Sequence, residues 1–429
     1  MKTLWKAAWV LGLTATVSSA AITAAQAGAF GINDAYNAAG MALGSAGAAA
    51  GGAGLGSIAF NPATLTDFSG AWASQSFSYI RPSMFIHSPF GNTTDIANGG
   101  RLVPAGQMTY QLNDHVWFGL SLGTPYGLVT EVNPKYYASF YGRTTSVFDI
   151  TAVPMIGYKF NDWLSIGAGV QVTYFKAKLG SMLSPLAPGS AFNLEGDDYT
   201  AGFVVGATLK PFQGTEIGVG YRSQQHPHLE GTAALNIPLQ GMSGIILPGF
   251  YSQTTDLDLP DQVTASVRQA INDALTLDFT YQWTHWSVFD HFIVNTGGFP
   301  AVQLNFDYSD GWLVGGGAEY KWNSQITLRA GLNYEHSPVT DSVRSVNLPD
   351  SNRIFLGLGG SYQINPQMSV DLAYAHVFTS NAPINLTSPL NPAFTGVPFY
   401  GNAVTQVNMV AITGNYHFGA PPPVVTAKF

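Results

Sequence analysis

The sequence predicts an all-β protein: a 14-stranded antiparallel transmembrane β-barrel plugged by a small, partly helical N-terminal hatch. Three observations lead there. Long segments alternate strictly between apolar and polar residues, as in Leu164, Ile166, Ala168, Val170, Val172 and Tyr174 against Ser165, Gly167, Gly169, Gln171 and Thr173. Side chains alternate faces along a strand, so each such segment presents one apolar and one polar wall. The segments run to ten residues or more, the length that crosses a bilayer as a tilted strand. Finally, the chain opens with an export signal yet holds no later apolar run long enough for a spanning helix, which leaves a closed barrel as the way to sit in a membrane.

At the N-terminus, Lys2 and Lys6 precede an apolar stretch through Val10, Leu11 and Leu13 to Val17, and small residues lead to Ala25-Gln26-Ala27. This reads as a signal peptide over residues 1–27, with cleavage after Ala27. Residues 28–70 are rich in Gly and Ala and lack alternation. They superficially suggest a phosphate-binding loop, but no strand leads in and no Lys follows a Gly. Asn61-Pro62 starts a short helix, since Asn is a good N-cap and Pro fits the first turn. Too poor in large apolar residues to form a core alone, this segment is expected inside the barrel lumen.

The barrel is expected over residues 71–418. Six short turns separate its hairpins, near Asn113-Asp114, Asn161-Asp162, Gln213-Gly214, Asn272-Asp273, Asn323-Ser324 and Asn365-Pro366. Trp117, Tyr158, Phe160, Trp163, Tyr320, Trp322 and Tyr362 cluster beside them like an interfacial girdle, which puts these turns on the periplasmic side. The longer connections then face outward. Two of them are unusually apolar, around Leu183, Leu186 and Phe192 and around Ile245, Ile246, Leu247 and Phe250. Exposed apolar patches mark a partner or ligand surface; packing of the loops against each other is the alternative. After Phe418 the Pro421-Pro422-Pro423 run cannot continue a strand, so residues 419–429 read as a periplasmic tail.

Composition excludes several functions. Only 10% of residues are charged, the formal net charge is −8 and no basic run occurs, so nucleic acid is not expected as a partner. The absence of cysteine removes thiol nucleophiles and Cys-ligated metals. His226-Pro227-His228 with Glu230 is the one tight histidine group, and it reads as a polar strand end beside a loop. No H-E-x-x-H occurs. No catalytic residues, metal or cofactor are expected. The inward charges Glu216, Arg222, Asp278, Arg329, Glu335 and Asp371 read either as a hydrophilic lining or as mutually paired groups.

A series of words then points to a family: Asn61-Pro62-Ala63, Tyr126-Gly127-Leu128-Val129-Thr130-Glu131, Gly220-Tyr221-Arg222-Ser223, Leu259-Pro260-Asp261, Trp283-Thr284-His285-Trp286-Ser287, Arg329-Ala330-Gly331 through Ser337-Pro338-Val339, and Leu348-Pro349-Asp350-Ser351-Asn352-Arg353. Their order resembles that in the FadL/TodX family of outer-membrane transporters for long-chain fatty acids and other hydrophobic compounds. The resemblance implies a hatch gated at Asn61, Pro62 and Ala63, and a third strand kinked at Pro125, Tyr126 and Gly127 to open the wall laterally. The family's basic loop after the fifth strand is missing here, leaving Arg143, Lys176 and Lys178 as headgroup contacts.

The function expected is passive, ligand-gated uptake of hydrophobic compounds across a Gram-negative outer membrane, with long-chain fatty acids first. Neutral hydrocarbons by the same route, or a general diffusion porin, are the alternatives. Expected partners are the hydrophobic solute, outer-membrane lipid and lipopolysaccharide, and the barrel-assembly machinery. The family implies a monomer.

Overall fold

The computed structural model describes residues 29–31, 36–97, 99–182, 190–236, 248–298, 300–394 and 396–419. The expected signal peptide, the expected tail beyond residue 419, and Leu183, Leu186, Ile245, Ile246 and Leu247 lie outside the described residues.

Fourteen strands close into one antiparallel ring. They are β1 (Ala71–His87), β2 (Arg101–Gln111), β3 (Val116–Gly123), β4 (Thr144–Lys159), β5 (Leu164–Ser181), β6 (Ala191–Leu209) and β7 (Thr215–Arg222). The ring continues with β8 (Gln262–Ala270), β9 (Leu275–Thr284), β10 (Gly311–Lys321), β11 (Ile326–His336), β12 (Arg353–Asn365), β13 (Met368–Thr379) and β14 (Phe399–Phe418). Closure joins β1 to β14 in unbroken register from Ala71↔Phe418 to His87↔Asn402. Closure leaves neither the first nor the last strand as a free edge in lipid.

The short turns share one device. Asn113, Asn161, Asn272 and Asn323 each accept the backbone N–H groups two and three residues on, at 2.8–3.0 Å, an Asx turn that reverses the chain tightly. Strand alternation sorts the walls as expected. Val170 and Val172 are 54% and 43% exposed on the lipid side, whereas Gln171 and Thr173 are 1% and 0% exposed inside. Trp117 departs from the expected girdle: it faces the lumen and donates from Nε1 to the Phe68 carbonyl, while Phe118 takes the outward position.

The lumen is filled by residues 36–70. A helical turn at Ala38–Ala42 packs Met41 against Ile80, Phe355 and Met409, and Ile58 with Leu65 packs on Trp117, Val153 and Met155. A 3-10 helix at Pro62–Asp67 is capped by Asn61, whose Oδ1 accepts the Ala63 N–H at 3.0 Å. Many strand glycines serve this close approach more than strand curvature. A Cβ at Gly218 would sit 1.8 Å from the Ala49 carbonyl oxygen, and one at Gly220 1.8 Å from that of Phe60. Neither position has room for a side chain while the plug is seated.

The inward charges are largely paired. Arg268 reaches Asp278 at 3.2 Å and Glu319 at 2.8 Å, Arg329 reaches Glu319 at 2.7 Å, and Lys210 joins Asp67 of the plug to Glu216 of β7.

Above the ring, the long connections carry further strands. His228–Asn236 and Gly249–Asp256 form a ribbon that extends the upper half of β6, and His291–Thr296 pairs with Val302–Asn305. The third strand is interrupted at Thr124–Tyr126 and resumes over Gly127–Glu131.

Candidate functional site: an apolar cavity above the plug

The interruption of β3 changes its partners. Its lower part, Trp117–Leu122, pairs with Gln111–Gly106 of β2. Residues Gly127–Glu131 pair with Phe148–Thr144 of β4 and with no residue of β2, so the stretch 101–105 of β2 keeps β1 as its only ladder neighbour among the described residues. Two groups stabilise this break. Asp149 on β4, fully buried, accepts the Tyr126 N–H at 2.9 Å through Oδ1 and the Thr151 hydroxyl at 3.0 Å through Oδ2. The Gly127 N–H donates to the Phe30 carbonyl at 2.8 Å, and Gly31 forms an antiparallel bridge with Tyr126. The start of the plug is therefore bonded to the break itself.

Phe30 projects from that bridge into an aromatic cage. Its ring lies 4.7 Å from Trp286, 5.3 Å from Phe289 and 5.7 Å from Tyr126, centroid to centroid. Behind it, the Ala29 N–H donates to Asp350 Oδ2 at 3.1 Å, and Asp350 Oδ1 is held by Arg353. The cage opens onto a cavity of about 80 Å³, lined by Phe30, Leu128, Val147, Phe175, Leu229, Leu257, Phe289, Phe292, Phe306, Tyr308 and Leu348 among others. An apolar cavity of about 150 Å³ takes one benzene, so with Phe30 in place this one is too small for a long chain. A second hollow of about 180 Å³ lies on the loop side and shares Leu179, Leu194, Leu304, Phe306, Tyr308 and Asn347 with the first. Together they form an apolar path from the long loops down to the plug.

The sequence-predicted residues distribute unevenly over this site. Tyr126 and Gly127 lie at the break, with Pro125 buried beside them. Asn61 sits deeper, its Nδ2 donating to the carbonyls of Ala49 at 2.7 Å and Ala207 at 3.0 Å, so it ties the plug to β6. Ala63 is fully buried, and the Pro62 carbonyl carbon lies 2.4 Å from where a Gly167 Cβ would stand. Phe192 lines the outer hollow, whereas Phe250 is 83% exposed on the ribbon and lines neither.

The three cations do not gather in the cavity. Phe175 and Ala177 line it, and unbroken pairing of β5 with β6 puts Lys176 and Lys178 on the opposite, outward side. There both ammonium groups pair with Glu195, at 2.6 and 2.8 Å, although the Lys178 and Glu195 positions border the cavity. Arg143 lines neither hollow, and its backbone N–H bonds Gly180. His226 and His228 likewise separate, onto Asp258 and Asp256.

Sequence reasoning missed Phe30, Asp149, Asp350 and the aromatic cluster from Trp286 to Tyr308. The density of rings between Trp283 and Phe292 was a usable signal; the sole acid among Val147, Phe148, Ile150 and Thr151 was another. It also passed over Gly119-Leu120-Ser121-Leu122-Gly123, which has nucleophile-elbow spacing. The motif needs a strand-to-helix turn, and here it lies within β3 with Ser121 buried, so it carries no catalytic reading.

A closed barrel with a seated plug and an apolar path above it defines a class: outer-membrane channels for hydrophobic solutes. The family model described as outer membrane protein transport protein (OMPP1/FadL/TodX) matches residues 18–418, and the chain belongs to that family. A long-chain fatty acid transport protein of Escherichia coli O6:H1 is 26% identical over 359 residues, 75% of this chain and 80% of that protein. Its Salmonella typhi counterpart is 24% identical over 360 residues, 77% and 83% of the two chains. Among solved structures, a Pseudomonas aeruginosa FadL homologue superposes with a TM-score of 0.81 at 24% identity, covering 92% of this chain and all of that one. The Pseudomonas putida toluene transporter TodX does so with 0.72 at 20% identity, covering 91% and 100%. The chain is an outer-membrane transport protein, of a family of channels rather than enzymes.

Proposed function

We propose that the protein takes up long-chain fatty acids by passive, ligand-gated diffusion, with lateral exit through the wall at the break in β3. A hydrocarbon chain captured in the outer hollow gains about 0.8 kcal/mol per CH₂ removed from water, and the shared residues lead it down to the aromatic cage. To enter fully it must displace Phe30. Displacement withdraws the Phe30 carbonyl from Gly127 and the Gly31 bridge from Tyr126, which frees the edge between residues 101–105 and 127–131. Rearrangement around Asn61, Pro62 and Ala63 then clears the way to that edge. The single observation that carries the reading is the Phe30–Gly127 hydrogen bond, because it couples cavity occupancy to the wall. A polar exit straight through the plug is a poorer route for a lipid-like solute, since paired charges fill the lumen floor.

Uptake of radiolabelled oleate by cells lacking their own such transporter tests the reading. Pro62→Ala and Gly127→Trp should each abolish uptake while the barrel still assembles; normal uptake in both would sink the mechanism. Neutral aromatic hydrocarbons form the second reading, favoured by the rings lining the cavity and by the engagement of Lys176 and Lys178 with Glu195. Labelled toluene entering without oleate would select it.

A further inference from the structure

Just below the apolar cavity the inner wall turns polar. Along β4 the inward face steps from Val147, in the cavity, to Asp149 and Thr151; along β5 it steps from Phe175 to Thr173 and Gln171. One such step is about 7 Å along a strand. The groups there are linked: Thr151 and Thr173 hydroxyls lie 2.7 Å apart, and Thr173 donates to Gln225 Oε1 at 3.1 Å. Gln171 and Gln225 both crowd the inner face of Gly202. Arg222, at the end of β7, is in electrostatic contact with Asp149 and Tyr126.

Three atoms in this patch are buried without a hydrogen-bond partner: Arg222 Nη1, Gln225 Nε2 and Gln171 Oε1. Their residues are 9%, 2% and 1% exposed. Buried polar groups are nearly always bonded, and orphaned donors on one wall call for an acceptor. Asp149 bonds Tyr126 and Thr151, and none of the three atoms makes a hydrogen bond to it. The other half of the Arg222 guanidinium is engaged by the plug, with Nη2 donating to the Ala59 carbonyl at 3.0 Å and the Tyr36 hydroxyl at 3.3 Å.

We propose that Arg222, Gln225 and Gln171 form a second, buried station for the carboxyl head of an amphipathic ligand, and that filling it loosens the plug. The inference rests on the fatty-acid reading above and gives it the headgroup partner that Lys176 and Lys178 do not supply. The carboxylate oxygens accept from Arg222 Nη1 and Gln225 Nε2, and Gln171 borders the station beside them. A carboxylate on Arg222 competes with Tyr36 and Ala59 for the same guanidinium, so ligand binding is felt directly by the plug. A neutral alkane has no means of making that exchange.

The test compares uptake of labelled oleate and labelled hexadecane by transporter-deficient cells carrying wild type, Arg222→Met, Arg222→Lys or Gln225→Leu, with planar-bilayer conductance measured for each. Loss of a hydrogen bond to a charged head should lower the oleate-to-hexadecane ratio about tenfold in Arg222→Met and Gln225→Leu. Arg222→Lys should restore part of it. Gln225 makes no bond to the plug, so its variant keeps the test clear of plug loosening. An unchanged ratio overturns the proposal in either form: with raised conductance, Arg222 only anchors the plug; with normal conductance, the patch holds water only. A wild type that imports neither compound overturns the transport reading and this station with it.

Discussion

The carboxylate of Asp149 accepts the backbone N–H of Tyr126 at 2.9 Å and so takes the place of a strand partner that β3 has lost. A buried N–H left unpaired costs about 1–3 kcal/mol. Asp149→Leu should therefore shift or straighten the break, cutting oleate uptake about tenfold while the barrel keeps its heat-modifiable migration on gels. Asp149→Asn retains an acceptor and should be spared. Wild-type uptake by the leucine variant would show that the break holds without this bond.

Seating of the plug should depend on the lumenal glycines. Gly218→Val puts a branched side chain where the Ala49 carbonyl lies, 1.8 Å from the Cβ position. The wall strand cannot yield, so the plug moves. Steady ion conductance in planar bilayers is expected, against little for wild type. Equal, low conductance in both would mean that the plug has another seat.

Lys176→Ala and Lys178→Ala should alter oleate uptake less than about twofold, because exposed ion pairs contribute about 0–1 kcal/mol and both ammonium groups face outward onto Glu195. A severe loss in either would return the headgroup role to these lysines and remove the need for Arg222.

The ribbon carrying His228 should respond to pH. Asp256, hydrogen-bonded to the imidazole at 2.6 Å, raises the His228 pKa above its ordinary 6.5. A raised value in the folded state gives a contribution fully present below pH 6.5 and lost as pH rises through the raised value. Amide exchange over residues 228–236 should thus be slower on the acid side, with the difference abolished in Asp256→Asn. A pH-independent pattern, once intrinsic exchange is corrected, would count against the pairing.

Much of the wall was legible because its rules are local. The Asn residues that cap the short turns, the alternation on β5, β9 and β11 and the helix start at Asn61 each need only a few neighbouring residues. Trp117 was misplaced because nearness to a turn says nothing about face; counting from the lipid-facing Phe118 would have turned it inward. The same count from Tyr174 puts Lys176 and Lys178 outside. The cavity was less legible, since Phe30 meets Trp286 and Phe289 only after the ring closes. Nor could alternation reveal why β7 and β11 contain glycine, because the reason lies on another segment of the chain.

Those glycines make the lumen a cast of one particular plug. Gly206 faces Asn61, Gly331 faces Leu43, and Gly357 faces the carbonyl of Met41, each with no room for a methyl group. Wall and plug therefore constrain each other's sequence along β6, β7, β11 and β12. A plug transplanted from another barrel would arrive as the wrong key, and exchange between members of such a family would have to carry its matching notches along.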